Sequence, residues 1–210
     1  MLVLATAVVI LLSYLLGSIP TGYLVARAKG IDIRKVGSGN IGATNAFRIL
    51  GKKAGVLVLL ADAFKGAAAV VLAPLVAGMV LHPVPSWIPL VAGVWAILGH
   101  NFTCWLGFKG GKGIATSAGV LGALVPLALG IALAVWLLVF ALSRYVSLAS
   151  IAAAAALPVA TVCLDRSNLP NIVVTSLIGA LAIWRHRPNI SRLLAGTESR
   201  FGKKPTTPAP

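Results

Sequence analysis

The charge-free stretch "GIATSAGVLGALVPLALGIALAVWLLVFALS" (113–143) decides the fold. Its 31 residues fit either one overlong membrane span or two short spans that meet near Pro126, because a helix that crosses a bilayer needs about 20 apolar residues. Four further runs contain no Lys, Arg, Asp or Glu, namely 1–26, 66–108, 145–164 and 167–184. The second of these is interrupted by "HPVPSWIP" (82–89), whose prolines predict a turn between two spans.

The composition excludes an ordinary soluble domain. Apolar residues make up 59% of the chain, charged residues make up 10%, and the mean hydropathy is +0.97. A soluble bundle would need a polar stripe on each surface helix, and the apolar runs have none. The first run precedes its basic residues, which is the reverse of a cleaved signal peptide and predicts a retained helix with its N-terminus outside.

The basic residues decide how often the chain crosses the membrane. With two spans in 113–143, 16 of the 18 Lys and Arg lie on one side, Arg166 lies alone on the other, and Lys65 lies inside a span. With one span there, ten of the Lys and Arg residues lie on one side of the membrane and seven lie on the other. Because cytoplasmic loops carry the excess of basic residues, the first arrangement is favoured.

We therefore predict an all-α integral membrane protein with seven transmembrane helices, an outside N-terminus, a cytoplasmic C-terminus and short interfacial helices on the cytoplasmic face. Residues 1–202 would form one domain, and residues 203–210 a disordered cytoplasmic tail. The expected spans are approximately 2–26, 54–81, 87–106, 113–126, 127–143, 147–163 and 168–184.

The first polar stretch on the predicted cytoplasmic side is "KVGSGNIGATNAFRILGKK" (35–53). Its glycines allow a tight turn whose backbone N–H groups face an anion, and Asn40 or Thr44 can cap a short helix behind it. Asn45 and Arg48 are three residues apart on that helix and share one side. An ordinary glycine-rich connector remains the alternative. The candidate phosphate-binding residues are Ser38, Gly39, Asn40, Gly42, Thr44, Asn45 and Arg48.

A second polar stretch, "GHNFTCWLGFKGGKGIATS" (99–117), places Lys109, Gly110, Gly111 and Lys112 just before a predicted helix. It is not a nucleotide-binding P-loop, because that motif needs glycine where Leu106 stands and Ser or Thr directly after the lysine. The lysines and the helix N-terminus still predict a second anion site. For His100, near the end of the third span, a structural role and a catalytic role both remain open.

The third polar stretch is "RHRPNISRLLAGTES" (185–199). Pro188 suits the first turn of a helix and Gly196 its end, so that Asn189 and Arg192 share one side. His186 would lie at the mouth of the last span. A helix that only anchors the chain at the membrane interface remains the alternative.

Two features interrupt the apolar spans. Asp62 and Lys65 are three residues apart within a span, where charges are costly, so an internal ion pair is expected, with direct substrate contact as the alternative. The segment "GSIPTG" (17–22) is expected to break the first helix near its cytoplasmic end, at a depth where irregular backbone must be covered by protein or water.

The three stretches, in this order, resemble the bacterial acyl-phosphate:glycerol-3-phosphate acyltransferases. The resemblance is carried by "GSGNIGATNAFR" (37–48), "DAFKG" (62–66), "GHNF" (99–102), "FKGGKGIAT" (108–116) and "RHRPNISRLLAGTE" (185–198). It implies a seven-helix enzyme of phospholipid synthesis that transfers a fatty acyl group from acyl phosphate to the sn-1 hydroxyl of glycerol 3-phosphate. The products would be 1-acylglycerol 3-phosphate and inorganic phosphate.

The resemblance also implies a setting and partners. The enzyme would lie in the bacterial plasma membrane with its active site on the cytoplasmic side, and it would use no coenzyme A or acyl carrier protein as direct donor. We expect no cofactor and no metal. A functional link to an enzyme that makes acyl phosphate is expected.

These expectations assign roles to the candidate residues. Ser38, the loop amides and Thr44 would hold the donor phosphate, whereas a second group of residues would hold glycerol 3-phosphate and polarise the carbonyl. The proton acceptor would be His186, His100 or the departing phosphate itself. The second group is Asn45, Arg48, Lys109 or Lys112, and Asn189, and the supporting residues are Asp62, Lys65, Arg192 and Glu198.

Two other functions can be tested against the same sequence. Short spans and a broken helix are features of transporters, but transporters bind near the membrane midplane, and here the polar motifs cluster at one face without an internal repeat. A non-catalytic scaffold for anionic lipids would tolerate replacement of Ser38 or Asn45. Nucleic-acid binding does not fit basic residues that are divided among short membrane loops.

Overall fold

The computed structural model describes residues 1–202, and the predicted disordered tail (203–210) lies outside the described residues. Within the described part the regular structure is entirely helical. The α-helices are α1 (Leu2–Ser18), α2 (Thr21–Arg27), α3 (Ala43–Leu50), α4 (Lys52–Gly78), α5 (Ile88–Asn101), α6 (Ile114–Leu124), α7 (Pro126–Ser143), α8 (Val146–Leu164), α9 (Leu169–Arg185) and α10 (Arg187–Leu194). Two short 3₁₀-turns cover Ile33–Lys35 and Cys104–Leu106.

The stretch 113–143 forms two helices, as predicted. Helix α6 ends at Leu124 and α7 begins at Pro126, with one extended residue between them. Proline suits the first position of a helix because it lacks the N–H group that has no helical partner there. The sequence therefore marks this junction through a single residue.

Among residues 1–202, five helical segments are long and apolar enough to cross a membrane, by length and composition: Leu2–Arg27, Lys52–Gly78, Ile88–Leu106, Pro126–Ser143 and Val146–Leu164. Ile114–Leu124 and Leu169–Arg185 are also apolar but shorter. The helical character and the position of these segments agree with the predicted spans. The count of seven crossings and the orientation stay predictions.

The first span breaks at Ile19 and Pro20, as the sequence predicts, and side chains of other helices cover the break. Lys65 Nζ donates to the Ile19 carbonyl at 2.7 Å, and Thr103 Oγ1 donates to the Ser18 carbonyl at 2.6 Å. Backbone carbonyls at this depth need such partners because the hydrocarbon supplies none. The break is thus part of the packed protein interior.

Small residues let the helices approach closely. A Cβ atom at Gly17 of α1 would overlap the Ala96 carbonyl of α5, and one at Gly66 of α4 would overlap the Thr116 carbonyl of α6. Close backbone contact of this kind is typical of membrane helix pairs, where apolar burial gives little net attraction. The α4–α6 contact fixes the start of α6, and so the loop that precedes it.

The apolar core lies between α5, α6, α8 and α9, where Ile97, Val120, Leu157 and Ile178 are buried. Long apolar side chains elsewhere face outward; Leu142 of α7, for example, is 80% exposed. An outer surface of this kind suits contact with lipid. Polar segments gather at one end of the bundle, where 28–42, 102–113 and 186–202 meet.

A topology experiment separates seven crossings from six. In a cysteine-free background, we expect Ser167→Cys, in the loop between α8 and α9, to react with a membrane-impermeant maleimide added to intact cells. Lys52→Cys, at the start of α4, should react only after the membrane is permeabilised. The six-span arrangement places residue 167 inside, so protection of Ser167→Cys in intact cells would contradict seven crossings.

Candidate active site

The first polar stretch folds around the side chain of Asn45. This residue is buried, and its Nδ2 donates to the carbonyls of Val36 and Asn40 at 3.1 and 3.0 Å, while its Oδ1 accepts from the Ser38 N–H at 3.0 Å. A Cβ atom at Gly37, which has a φ of +61°, would overlap Asn45 Oδ1. Asn45, predicted to contact substrate, therefore holds the loop in shape through its amide.

The predicted caps of α3 are wrong. The helix begins at Ala43 with Gly42 as its N-cap and has no side-chain cap. Asn40 Oδ1 instead accepts the Gly42 N–H at 2.8 Å and closes the turn before the helix, and Thr44 lies within the first turn. Short polar side chains form such turns readily, in competition with helix capping.

Several loop amides expected to face an anion are used within the loop. The N–H groups of Ser38, Gly39 and Gly42 all donate to neighbouring atoms of the same stretch. The first-turn amides of Ala43 and Thr44 have no acceptor among residues 1–202. With the exposed side chains of Ser38, Thr44 and Arg48, these two amides form the open face of the first stretch.

The glycine loop (107–113) is tied to two helices by its backbone. The N–H groups of Gly110 and Gly111 donate to the carbonyls of Asn101 and His100, both at 3.1 Å. Their own carbonyls accept from Arg185 Nη2 at 3.0 and 2.6 Å. Gly110 and Gly111, which we predicted to bind substrate, thus use their backbone polar groups within the protein.

Arg185 is a site residue that the sequence analysis did not single out. It ends α9 and belongs to a run of basic residues. The orientation of the chain in the membrane would by itself account for such a run. Its guanidinium also lies over the ring of Phe102, 5.2 Å from the ring centre. The planar guanidinium joins the end of α9 to the glycine loop and so places Lys112 at the site.

Lys112 connects the glycine loop to the third stretch. Its Nζ donates to Asn189 Oδ1, and Asn189 Nδ2 donates to Glu198 Oε1 at 2.7 Å. Glu198 also accepts from Ser147 Oγ at 2.8 Å and from Arg192 Nε at 2.6 Å. The expected shared side of Asn189 and Arg192 is confirmed, because both side chains meet the same carboxylate.

Ser147 was not foreseen, since a serine near the start of an apolar span carries no signal of its own. It begins α8, next to the C-terminal segment that carries Glu198. Although burial opposes it, hydrogen bonds from Asn189, Ser147 and Arg192 lower the pKa of Glu198. The residue is therefore a carboxylate that fixes the Asn189 amide, with Oδ1 turned toward Lys112.

Burial lowers the pKa of Lys112 to about 8. Glu198 opposes this shift, whereas the positive charges of Arg192, Arg185 and Arg48 reinforce it. Arg48 belongs to the first polar stretch, so the three stretches share one electrostatic site. Lys109, by contrast, has an exposed side chain without a hydrogen bond to residues 1–202.

His186 lies at the junction of α9 and α10 and is almost fully buried. Its Nδ1 is 2.7 Å from the Ala182 carbonyl, and because a carbonyl only accepts, Nδ1 carries the ring proton. Burial and the Lys112 charge lower the pKa of His186 to about 4. At neutral pH its Nε2 therefore offers a lone pair.

The buried pair expected in α4 is present, with Lys65 Nζ 2.8 Å from Asp62 Oδ1. His100 lies next to it, with Nδ1 3.7 Å from the same oxygen. Its ring lies beneath Gly111, where a Cβ atom would overlap Nε2. These three residues lie behind the glycine loop, away from its open face.

An apolar groove runs from the site into the bundle between α6, α7, α8 and α9. Ile114 and Ala182 line the end nearest Lys112 and His186, and Leu129, Leu157 and Ile178 line it further in. The groove is partly open and has a volume of about 70 Å³. Its apolar walls suit the first part of a hydrocarbon chain whose polar end lies at the cation cluster.

The fold and the site together define a class: an integral membrane protein with a cluster of cationic and amide side chains at the mouth of an apolar groove. The family model of glycerol-3-phosphate acyltransferase matches residues 7–196. The chain belongs to this family.

Relatives and solved structures agree with this family. The glycerol-3-phosphate acyltransferase of Trichlorobacter lovleyi is 49% identical over 190 residues, which is 90% of this chain and 94% of the relative. That of Synechococcus sp. (strain JA-3-3Ab) is 51% identical over 193 residues, covering 91% of each chain. The glycerol 3-phosphate form of PlsY, an integral membrane glycerol 3-phosphate acyltransferase, aligns with a TM-score of 0.85, at 43% identity and over 94% of this chain and 96% of its own. Its lysophosphatidic acid form aligns with a TM-score of 0.82, at 42% identity and over 94% and 95% of the two chains.

The pKa of Lys112 predicts how anion binding depends on pH. Because the ammonium binds an anion and the neutral amine does not, affinity for inorganic phosphate should fall as the pH rises above about 8. Lys112→Arg should remove this fall, since guanidinium keeps its charge. The measurement is the thermal stabilisation by phosphate of detergent-purified wild-type and Lys112→Arg protein across a pH series. An unchanged pH profile in Lys112→Arg would contradict this assignment.

Proposed function

We propose that this protein transfers a fatty acyl group from acyl phosphate to the sn-1 hydroxyl of glycerol 3-phosphate. The bond from the hydroxyl oxygen to the acyl carbon forms, and the bond from that carbon to the phosphate oxygen breaks. The products are 1-acylglycerol 3-phosphate and inorganic phosphate, and the proton leaves the hydroxyl. This is the first acylation in phospholipid synthesis.

The observation that carries the proposal is the cation cluster of Lys112 and Arg48 beside Asn189, at the mouth of an apolar groove. Two phosphorylated substrates repel each other, so their charges must be offset before the hydroxyl can reach the carbonyl. The cluster offsets these charges, and the groove receives the acyl chain. The membrane itself delivers an amphipathic donor to that groove.

Each side of the site suits one substrate. Ser38, Thr44 and the open first-turn amides of α3 suit the donor phosphate, because a helix N-terminus favours an anion. Lys112, Asn189 and Arg48 suit the phosphate of glycerol 3-phosphate. Asn45 contributes by shaping the loop that carries Ser38, and exposed Lys109 attracts either anion from solution.

The donor is a mixed anhydride with a good leaving group, so the reaction needs no covalent enzyme intermediate. We assign the proton of the sn-1 hydroxyl to His186 Nε2, because that nitrogen is unprotonated at neutral pH and lies next to the Asn189 helix. Two bound phosphates would raise the pKa of His186, and thereby its strength as a base, while the hydroxyl is attacking.

The proposal includes a place in the cell. We place the seven spans in the bacterial plasma membrane with an outside N-terminus and the active site on the cytoplasmic side, where basic residues concentrate. An enzyme that makes acyl phosphate must supply the donor from the same side or from the bilayer.

The central experiment measures phosphate release from palmitoyl phosphate by purified protein in detergent or a lipidic phase. We expect release to depend on glycerol 3-phosphate and to yield lysophosphatidic acid, identified by mass spectrometry. Ser38→Ala should lose about 100-fold in turnover, the usual cost of removing one preorganised donor. Ser176→Ala, on the surface of α9, is the matched control and should retain activity. Release without any dependence on the acceptor would overturn the proposal.

A second experiment tests His186. His186→Gln should lower kcat by about 100-fold with little change in the KM for glycerol 3-phosphate, as expected for a lost general base. His82→Gln, in the exposed loop between α4 and α5, is the matched control. If His186→Gln keeps most of its turnover, the departing phosphate takes the proton instead.

A further inference from the structure

A buried charged cluster lies directly behind the glycine loop. Asp62, Lys65 and His100 are 1%, 4% and 4% exposed. Lys65 bonds to both Asp62 and the Ile19 carbonyl, so α4 is joined to the break in the first span. His100 is the member that also touches the loop.

Neither ring nitrogen of His100 faces the open site. Nδ1 lies 3.7 Å from Asp62 Oδ1, and the Nε2 edge lies against Gly111, with no room there for a Cβ atom. The His100 carbonyl accepts the Gly111 N–H at 3.1 Å, so ring and backbone support the loop at the same residue. The ring is therefore packed between the Asp62 carboxylate and the backbone of the glycine loop.

We propose that His100 is a positioning residue that acts through Gly111 to hold Lys112 opposite Asn189, and that it does not take a proton from substrate. The kinetic part of this inference rests on the proposed function; the stability and labelling parts do not.

Two side chains hold the loop. Arg185 binds the carbonyls of Gly110 and Gly111, and the His100 ring lies against Gly111. Lys112 follows Gly111 directly, so any movement of the loop moves its ammonium relative to Asn189. A smaller side chain at position 100 leaves a space beneath the loop, which lets it sink and lets water reach Lys112.

The first test uses thermal unfolding of the purified protein. Gly111→Ala forces a methyl group against His100 Nε2 and should lower the unfolding temperature. His100→Asn, which makes room for that methyl, should restore part of the loss when the two are combined, so that their effects are not additive. Gly130→Ala, in an open position on α7, is the matched control and should combine additively with His100→Asn. Additive effects of Gly111→Ala and His100→Asn would overturn the proposal.

The second test follows Lys112 itself by amine acylation across a pH series, with peptide mass spectrometry and exposed Lys109 as internal reference. With water admitted beneath the loop, the pKa of Lys112 should move from about 8 toward its ordinary value in His100→Asn. The charged or titratable groups that influence Lys112 stay the same in both proteins: Glu198, Arg192, Arg185, Arg48 and His186. An unchanged labelling midpoint would overturn the proposal.

The third test is kinetic. His100→Asn should raise the KM for glycerol 3-phosphate about tenfold and leave kcat within about threefold, since binding geometry rather than proton transfer is altered. A loss of kcat of about 100-fold with an unchanged KM would instead identify His100 as the base. If the wild-type protein shows no acyl transfer, the proposed function fails, whereas unfolding and labelling still decide the role of His100.

Discussion

The structure depends on one buried ammonium, that of Lys65. In a bundle surrounded by hydrocarbon, a buried charge and an unpaired backbone carbonyl are each costly. Here the Lys65 ammonium donates a hydrogen bond to a carbonyl at the helix break, so each group gains a partner. The ammonium meets the Asp62 carboxylate at 2.8 Å and the Ile19 carbonyl at 2.7 Å. The break separates α1 from α2, and α2 leads the chain toward the loop that carries Ser38. The position of the first polar stretch thus depends on a contact made inside the bundle.

The scarcity of acidic residues has a consequence for the site. The chain has four acids against 18 Lys and Arg. Asp32 pairs with Arg34 at 2.8 Å, Asp62 pairs with Lys65, and Glu198 pairs with Arg192, so these carboxylates each neutralise a particular cation. Lys112 is held by a neutral amide instead. Its positive charge therefore remains available to an anionic ligand.

Local patterns predicted the fold well. The absence of charge located the apolar helices, Pro126 located the junction inside 113–143, and the i, i+3 spacing located the buried pair of Asp62 and Lys65. Each of these features depends on neighbours in sequence. The predicted orientation depends on how basic residues divide between two sides, which no single helix determines.

The site was predicted in outline, whereas the direction of its polar groups was not. The sequence analysis assigned Lys112, Asn189 and Glu198 to one site, and these three side chains are in contact, with Arg48 near enough to act on Lys112. It could not show that Asn45 faces its own loop. The N–H groups of Gly110 and Gly111 donate to carbonyls at the C-terminal end of α5. Their own carbonyls accept from Arg185, which is more than 70 residues away in the sequence. Such contacts are set by helix packing, so no local motif reports them.

Under the proposed function, the environment of Lys112 would allow the site both to bind phosphate and to release it. Burial destabilises the charged form of Lys112, and the positive charges of the nearby arginines destabilise it further. A bound phosphate reverses the balance, because its negative charge stabilises Lys112 and the arginines together. Part of the binding free energy is then relief of repulsion among cations that Glu198 alone cannot neutralise. In the proposed reaction, a phosphate with less negative charge would relieve less of that repulsion and leave more readily, so that the charge state of the departing group would control its release.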